Sequence, residues 1–515
     1  MLSKDRKMLQ SCRERNTHQQ PTRTNHQPGP QQPYNPFFAG QFPEQVREVS
    51  KAEEQYILME RALRLAADDA NTPRLLEKLD RLLVIGGMWS YPDPGRLIAD
   101  AVGSPNAKTF LTAMGGNMPQ ATVSECCERI AAGDMEIAAV VGGEAVYSKN
   151  KLRKLGKDLM KSGADLEKAE RFGENVSMSS QHERDNGFMM PTQIYPLFES
   201  AIRAHRNESH YDHRKRISAL WEGYNQVAAA NEYAWVQTPM TAQEIMEPTP
   251  ENRMVGYPYT KAMNANSFVD FGGALIICSA GAAQSLGIPS DKWVFPHAAT
   301  DGHATYLFSE RDNFHESPAI RITSKACLEL ADITIDDVGP MDLYSCFPSV
   351  VQITMSELGI QPDRTTTTTG GLSFFGGPMN SYVIHAIAST VDAVRASGEY
   401  GFIHANGGYA TKHACAVYSN QPPKGDFQRR NVQEEINAHP KREVAIDPIG
   451  KSIIESYTVL HDREGANKAL VTSLMDDGKR ALSSTSDVEI MESMMSEEYI
   501  GKTLEFTGSG TFNIV

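Results

Sequence analysis

The sequence predicts an α/β protein whose core consists of two similar halves, followed by a small β module at the C-terminal end. Three observations predict this class. Short buried-strand runs alternate with amphipathic helical patterns, this alternation occurs twice along the chain, and the composition changes past residue 420. Of the 515 residues, 40 % are hydrophobic and 22 % are charged, so the chain has enough apolar material for a packed core. Global disorder is therefore excluded.

The N-terminal segment differs from the rest of the chain. It includes the run QQPTRTNHQPGPQQPYNP, which is almost free of aliphatic residues, and its six basic and two acidic residues give a local charge of +4. Such a segment cannot bury enough apolar surface to offset its ordering entropy. We therefore expect residues 1–43 to form a disordered tail, with a mitochondrial presequence as the alternative interpretation.

The first half of the core is predicted to span residues 44–292. An amphipathic helix opens it within residues 50–70, and strands and helices then alternate. Proline near the start of a helix and glycine after its end mark the helix limits, as at Pro94 and Gly103. The predicted elements are a strand at 82–87, a helix at 94–103, a strand at 108–113, a helix at 117–132 and a strand at 136–145.

A polar, helix-rich stretch at residues 157–255 interrupts the alternation, and we expect it to be an insertion over one end of the core. A strand and a helix at 272–287 then complete the first half. The second half is predicted at residues 293–421. Its elements are a strand, a turn and a helix at 341–359, a helix at 376–398, and two strands at 398–420.

The last part of the chain, residues 440–515, has the pattern of a separate small β module. Asp477-Gly478 is typical of a tight hairpin turn, and a short helix follows at about 488–499. Short strands joined by tight turns favour a barrel-like arrangement.

Charge and cysteine content exclude some function classes. The net charge of −14 argues against a general nucleic-acid binder, because phosphate neutralisation needs a positive surface. Seven cysteines, an odd number in so long a chain, fit a reducing compartment and not a disulfide framework. No apolar run is long enough for a membrane helix, and neither a secretory signal nor a Ser-Lys-Leu type address is present in the sequence. We expect a cytoplasmic protein, or a mitochondrial one if the basic tail is a presequence.

Four turns at strand–helix junctions are candidates for the functional site. Ligands of α/β sheets lie at the carboxyl ends of strands, where helix N-termini offer free N–H groups and glycine permits close backbone approach. Ordinary turn structure is the competing interpretation for each turn alone. The four turns are Gly115-Gly116-Asn117, Tyr344-Ser345-Cys346-Phe347, Gly376-Gly377-Pro378 and Asn406-Gly407-Gly408.

The spacing of these turns resembles the thiolase superfamily over residues 45–420. Gly133-Asp134 and EIAAVVGGEA match the helix end and strand that follow the nucleophilic cysteine of thiolases, which places Gly116 at the nucleophile. YSCF matches the Asn-Glu-Ala-Phe or His-Asp-Cys-Phe motif, FFGGP the Gly-His-Pro motif, and ANGGYATKHA the Cys-x-Gly loop. Together with GGNMPQ and YPDPGRL, these motifs look most like type-1 thiolase-like proteins. The resemblance implies a five-layer αβαβα core, an additional C-terminal domain and a homodimer.

The departures from the thiolase pattern concern the reacting groups. Gly116 stands at the nucleophile, Gly377 at the histidine, and Ala405 (or His404) at the second cysteine. Glycine can neither attack nor transfer a proton, so the resemblance supports the fold better than the reaction. The remaining catalytic candidates are Cys346, His404, His413 and Tyr344. The residues expected to face a thioester or its oxyanion are Gly116, Asn117, Ser345, Gly377 and Gly407.

A basic cluster in the insertion is the candidate site for coenzyme A phosphates, since arginine and lysine suit such groups. A solvated helix face explains the run equally well. Its members are Arg203, Arg206, Arg214, Lys215 and Arg216. Metal-ligand spacing is absent from the sequence, and we expect no permanently bound cofactor, with a coenzyme A thioester as substrate or ligand.

Two functions follow as hypotheses. The first is an acyl-CoA acyltransferase, of the acetyl-CoA acetyltransferase kind, or another thioester-processing enzyme with a non-standard site. The second is a non-catalytic protein that keeps the fold and binds coenzyme A or an acyl thioester. Buried, inert roles for Cys346, His404 and His413 would favour the second hypothesis.

Overall fold

A computed structural model of the chain describes residues 36–43, 52–159, 162–508 and 511–515. Strands in the first part of the described chain are β1 (Phe37–Pro43), β2 (Arg81–Val84), β3 (Lys108–Thr112), β4 (Ile137–Ala145), β5 (Glu170–Phe172), β6 (Met254–Gly256), β7 (Tyr259–Thr260) and β8 (Asp270–Cys278). Helices in this part are α1 (Gln55–Asp69), α2 (Pro94–Ala101), α3 (Met118–Ala131), α4 (Val146–Lys154), α5 (Gln181–Asp185), α6 (Pro191–His205), α7 (His210–Ala230), α8 (Ala242–Met246) and α9 (Ala280–Ser285).

The second part of the chain repeats the alternation of strands and helices. Its strands are β9 (Phe295–His303), β10 (Val338–Leu343), β11 (Tyr400–Gly407), β12 (Lys412–Ser419) and β13 (Gln428–Asn431). Its helices are α10 (Pro318–Leu330), α11 (Pro348–Leu358), α12 (Gly371–Phe374), α13 (Tyr382–Ser397) and α14 (Gln433–Asn437).

The C-terminal part is mainly β. Its elements are β14 (Val444–Ala445), β15 (Gly450–His461), β16 (Ala466–Met475), β17 (Arg480–Thr485), α15 (Val488–Met494), β18 (Thr503–Gly508) and β19 (Thr511–Ile514). Short 3-10 helices elsewhere are Pro73–Lys78, Lys261–Met263, Ser290–Lys292, Phe308–Glu310, Ile335–Asp337 and Met379–Ser381.

The first half forms a mixed sheet of order β1-β8-β4-β2-β3-β5. Strand β2 pairs parallel with β3 and β4, whereas β8 pairs antiparallel with β4 and β1. Both β4 and β8 are buried along their whole length, as their continuous apolar runs predict.

The predicted disordered tail, residues 1–43, includes residues that form a strand in the structure. Residues 1–35 lie outside the described residues, but Phe37–Pro43 form β1, an edge strand on β8 with Phe37 opposite Ile277. Phe37 and Phe38 are fully buried. The partner strand lies some 240 positions away in sequence, so local composition gives no sign of this pairing.

The second half forms a sheet of order β10-β11-β12-β9-β13. Strands β11 and β12 are an antiparallel hairpin in which His404 faces Cys415 and Asn406 faces His413. The half extends past the predicted limit at residue 421, because β13 (428–431) pairs parallel with β9.

Helices fill the space between the two sheets and cover their outer faces. On α13, Ile384 packs against the β8 backbone at Gly273, and Thr390 packs against Gly401 of β11. Helix α1 covers the opposite face of the first sheet, and α10 the opposite face of the second, where Ser324 contacts Cys415. This order of layers confirms the predicted five-layer αβαβα core.

The C-terminal β module has the strand order β14-β17-β16-β15-β18-β19, with β6 of the insertion paired to β15. In this order β14 and β19 do not pair with each other, so no closed barrel forms within the described residues. The module is anchored to α6, because Ser456 Oγ donates to the Leu197 carbonyl and Ser200 Oγ donates to the Tyr457 carbonyl. It is therefore packed on the helical insertion, not separate from the rest of the chain.

The helices of the described residues include none with the length and apolar character that crossing a membrane requires.

Candidate functional site

The candidate site lies where the first turns of α3 and α11 approach the β11–β12 hairpin. Each helix carries a proline in its first turn, which fixes where the helix begins. The N-terminal ends of both helices bear partial positive charge. The structure thus brings together three of the four predicted turns, those at residues 115–117, 344–347 and 406–408.

Gly116 and Tyr344 meet at the centre of the site. A Cβ atom built on Gly116 would overlap both the Tyr344 hydroxyl and the Asn406 carbonyl oxygen, and would lie 2.8 Å from Tyr344 Cζ. The Tyr344 phenol therefore occupies the space that a side chain at position 116 would need. Among the described residues, the Tyr344 hydroxyl has no hydrogen-bond partner. Burial raises the pKa of Tyr344, so the phenol is neutral and can donate a hydrogen bond.

Two buried amide oxygens in the turns at residues 115–117 and 406–408 have no partners in the described part of the chain. They are Asn117 Oδ1, which packs against the backbone of Gly407, and Asn406 Oδ1. Most buried polar atoms in proteins are hydrogen-bonded, so a pair of unsatisfied acceptors marks a place where a ligand or water can bind. Of the predicted thioester-facing residues, Gly116, Asn117 and Gly407 lie at this place.

Cys346 lies in the same turn as Tyr344, directly after β10, but it lacks the neighbours of a nucleophilic thiol. Burial raises the pKa of the Cys346 thiol to about 12, although Tyr195 and Asn406 lower it in part. Within the described residues, no histidine nitrogen is hydrogen-bonded to Cys346 Sγ. Because the thiolate is the nucleophile, this environment does not favour Cys346 as a nucleophile, and the catalytic role of Cys346 stays a prediction.

His404 and His413 contact each other across the β11–β12 hairpin. His404 Nε2 lies 3.2 Å from His413 Nδ1, and His404 Nδ1 lies 3.5 Å from Thr354 Oγ1. Burial lowers the pKa of His404 to about 3, and burial and the neighbouring His404 lower that of His413 as well. Both rings are therefore neutral. His413 Nε2 has no hydrogen-bond partner among the described residues.

Two predicted thioester-facing residues, Ser345 and Gly377, contact other parts of the protein. Ser345 is fully buried, and its Oγ accepts a hydrogen bond from the Leu372 backbone N–H at 3.2 Å. This contact uses the Ser345 oxygen as an acceptor inside the protein, and a role facing a thioester stays a prediction. At Gly377, a Cβ atom would meet Leu372 at 3.4 Å and the Asn266 carbonyl at 3.6 Å, which is ordinary van der Waals contact.

The predicted coenzyme A phosphate cluster is largely occupied by internal partners. Arg203 is buried and forms an ion pair with Glu498 at 2.6 Å, so its predicted role in phosphate binding has a competing partner and stays a prediction. Arg206 and Arg216 both pair with Glu208. Arg214 donates to the Met246 carbonyl, and only Lys215 of the predicted set is fully on the surface without a described ion pair.

Two residues of the site, Tyr195 and Lys412, are not among the predicted candidates. Tyr195 donates to the Gly408 carbonyl at 2.9 Å and accepts from Asn406 Nδ2 at 3.1 Å, so it positions the hairpin turn. Lys412 Nζ donates to the Met114 carbonyl beside Gly115, and burial lowers its pKa. Tyr195 lies in the insertion, distant in sequence from the motifs. Lys412 lies within the quoted ANGGYATKHA motif but has no chemistry that stands out locally, whereas Asn406 belongs to one of the four predicted turns.

The described residues contain no group of three or more histidine, cysteine or carboxylate side chains placed to hold a metal ion.

Comparison with known proteins gives the class of the fold and site. A monomeric SCP2-thiolase like protein type 1 from Mycobacterium smegmatis has a TM-score of 0.79 and 27 % sequence identity, covering 93 % of this chain and 98 % of that one. Human mitochondrial 3-ketoacyl-CoA thiolase has a TM-score of 0.54 at 16 % identity over 76 % of this chain and 99 % of its own. The Ltp2-ChsH2(DUF35) aldolase has a TM-score of 0.58 at 17 % identity over 75 % of this chain and 97 % of that chain.

The chain has the thiolase fold. A family model described as the thiolase-like protein type 1 additional C-terminal domain matches residues 431–511. This match and the similarity to the type 1 protein from Mycobacterium smegmatis support the predicted resemblance to type-1 thiolase-like proteins with the additional C-terminal domain. The homodimer and the cytoplasmic location stay predictions.

Proposed function

We propose that this protein binds an acyl-CoA thioester beside Gly116 and Tyr344 and processes it, as an acyltransferase-type enzyme, without an acyl-cysteine intermediate. The observation that carries the proposal is the position of the Tyr344 hydroxyl. It fills the side-chain space of residue 116, where the resemblance to thiolases expects the nucleophilic sulfur, and it lacks a partner among the described residues.

A neutral phenol at this place suits stabilisation of charge on a thioester oxygen. When an acceptor attacks the thioester carbon, negative charge develops on the carbonyl oxygen, and a preorganised hydrogen-bond donor lowers the energy of that state. The acceptor gains the acyl group, the carbon–sulfur bond breaks, and the released coenzyme A thiol takes up the proton that the acceptor loses. Tyr344 would donate to the oxygen throughout this step.

The two unsatisfied amide oxygens support thioester binding. Asn117 Oδ1 and Asn406 Oδ1 are buried acceptors, and the pantetheine arm of coenzyme A carries amide N–H groups that suit them. The N-terminus of α3 adds partial positive charge at the same place.

Turnover with acetyl-CoA and longer acyl-CoA substrates tests the proposal. We expect release of free coenzyme A, detected with a thiol-reactive dye, and no acyl adduct by intact-protein mass spectrometry. Tyr344→Phe should lower the rate by about tenfold to a thousandfold while acyl-CoA binding persists. Cys278→Ala, which removes a buried thiol in β8, is the control for general damage. An acyl adduct on Cys346, with turnover lost in Cys346→Ala, would contradict the proposal.

The second candidate is a non-catalytic acyl-thioester binding protein. The specific observation in its favour is that His404 and His413 are neutral, buried and directed at each other, so neither contacts a thiol. Saturable acyl-CoA binding by calorimetry without any release of coenzyme A would favour this candidate over the enzyme.

A further inference from the structure

We infer that the C-terminal β module shapes the candidate site, because Arg480 of the module fixes the turn of the β11–β12 hairpin. Arg480 is the first residue of β17, and the turn consists of residues 408–411. Asn406 and Gly407 of the candidate site directly precede this turn. Arg480 is a positioning residue, which acts through Arg311 and does not contact a ligand. The inference goes beyond the proposed function, since it concerns how the turn is held, whatever the site binds.

Ala410 is the residue of the turn whose conformation most depends on outside contacts. Its φ is +53°, in the left-handed region that a residue with a Cβ atom rarely adopts. Its N–H donates to the Tyr195 hydroxyl at 3.0 Å, and its carbonyl accepts from the Arg311 guanidinium at 2.8 Å. Residues in such conformations persist where the surrounding contacts over-determine them. The conformation of the turn therefore depends on where Tyr195 and Arg311 lie.

Arg311 reaches the turn from a connecting segment, residues 308–316. Its side chain is buried, and it also donates to the Glu316 carbonyl at 2.8 Å. Among the described residues its hydrogen bonds all go to carbonyl oxygens, and it forms no ion pair. A buried guanidinium without a carboxylate needs acceptors at fixed positions, because an uncompensated charge in the interior is costly. The backbone of the 308–316 segment thus sets the position of Arg311.

Arg480 of the module holds this segment. Its guanidinium donates to three carbonyls there, those of Ser309 at 2.6 Å, of Arg311, and of Asp312 at 3.2 Å. Arg480 is fully buried, and the Glu455 carboxylate of β15 accepts two hydrogen bonds from it at 2.7 Å each. A bidentate pair of this kind fixes the plane of the guanidinium group. One arginine of the module therefore determines the backbone that carries Arg311.

The module also supports Tyr195, on the other side of the turn. Ser456 Oγ of β15 donates to the Leu197 carbonyl at 2.5 Å, two residues after Tyr195 on α6. The Tyr195 hydroxyl donates to the Gly408 carbonyl and accepts from the Ala410 N–H. Contacts from β15 and β17 thus converge on Ala410, one route at its N–H and the other at its carbonyl. This convergence connects the module to the candidate site.

Hydrogen exchange of the full chain, followed by mass spectrometry, tests the inference. Arg480→Lys keeps the positive charge but loses the bidentate pair with Glu455. We expect the amides of residues 408–411 to exchange at least about tenfold faster in this variant, since the donor to the Ala410 carbonyl is no longer fixed. Arg311→Lys should give the same increase in the same residues. The double variant should exchange no faster than either single variant, because both changes break one route.

The matched control weakens the module without changing this route. Met494→Ala removes a fully buried side chain from the apolar core of the module. Exchange of residues 408–411 should then stay within about twofold of the unmodified protein. If circular dichroism shows that Arg480→Lys does not fold, Glu455→Gln, which keeps the shape of its partner, should give a smaller increase in the same residues. Unchanged exchange of the turn in the folded variants, or an equal increase in Met494→Ala, overturns the inference.

Calorimetry with acetyl-CoA measures the consequence for the site. We expect Arg480→Lys to weaken acetyl-CoA binding by at least about fivefold, since Asn406 and Gly407 are displaced with the turn, and Met494→Ala to leave it unchanged. Faster exchange of the turn with unaltered acetyl-CoA affinity would mean that the module does not shape the site, and would overturn the inference. If the unmodified protein does not bind acetyl-CoA, the proposed function is wrong, and the exchange experiment alone decides the inference.

Discussion

Replacing Gly116 by alanine should destabilise the protein, whereas the same change at Gly377 should not. These two glycines stand where the thiolase resemblance expects the nucleophile and the histidine. A methyl group at position 116 would overlap the Tyr344 hydroxyl and the Asn406 carbonyl, and one of those neighbours is backbone that cannot rotate away. Overpacking of this kind costs about 1–3 kcal/mol. We expect a value near the upper end, because two neighbours must move.

At Gly377 the methyl group would meet its nearest neighbour at 3.4 Å, which is ordinary contact. Loss of glycine from the unfolded chain then stabilises the folded state by about 0.4–1 kcal/mol. The two variants should therefore differ by about 2–4 kcal/mol in the free energy of unfolding. Urea unfolding followed by the fluorescence of the four tryptophans measures this difference.

A double substitution locates the cause of the destabilisation. In a Tyr344→Ala background the ring contact is gone and only the Asn406 carbonyl remains, so Gly116→Ala should cost about 1 kcal/mol less than in the unmodified protein. Equal stability of the Gly116→Ala and Gly377→Ala variants would refute the assignment of Tyr344 to the space of a side chain at position 116. It would also mean that the space beside Gly116 is free for a nucleophile from another group.

Three further predictions concern groups outside this contact. Burial raises the pKa of Glu144 from 4.5 to about 7, so the folded state holds a proton that the unfolded state releases above pH 4.5. Stability should fall by up to about 3 kcal/mol as pH rises from 4.5 through 7, and unfolding of Glu144→Gln over this range should show no such slope. Native protein at pH 8 should leave Cys346 unlabelled by iodoacetamide in peptide mass spectrometry, and rapid labelling would contradict the raised pKa of its thiol. Glu498→Ala leaves buried Arg203 without its carboxylate, which should cost about 1–3 kcal/mol and speed limited proteolysis of the C-terminal module, whereas unchanged proteolysis would argue against this anchor.

Local pattern predicted most of the regular elements. The helix at 117–132 is α3 (Met118–Ala131), and the strand at 136–145 is β4 (Ile137–Ala145). Apolar spacing and the proline and glycine at element ends carry this information, because each element buries a face that its own sequence encodes. The position of each glycine turn at a strand end followed from the same patterns.

Pairings between distant segments were not predictable in this way. Strand β1 joins the first sheet, and β13 joins the second, only because each finds an exposed edge strand. The basic cluster at residues 213–216 appears free in sequence, yet Glu208 forms ion pairs with two arginines of the surrounding set. No local window contains both partners of the strand pairings, whereas Glu208 lies within eight residues of Arg206 and Arg216, and only the fold shows that it pairs with both.

The sequence by itself determined the class of this protein, since duplicated strand–helix patterns and the spacing of glycine turns are properties of short segments. Through the resemblance it also predicts that glycines 116 and 377 stand where thiolases carry a cysteine and a histidine. Only the tertiary structure shows which group lies in the side-chain space of Gly116. Tyr344 comes to fill the space beside Gly116 because β10, α3 and the β11–β12 hairpin converge there, and their packing sets the distance between groups more than two hundred residues apart in the chain.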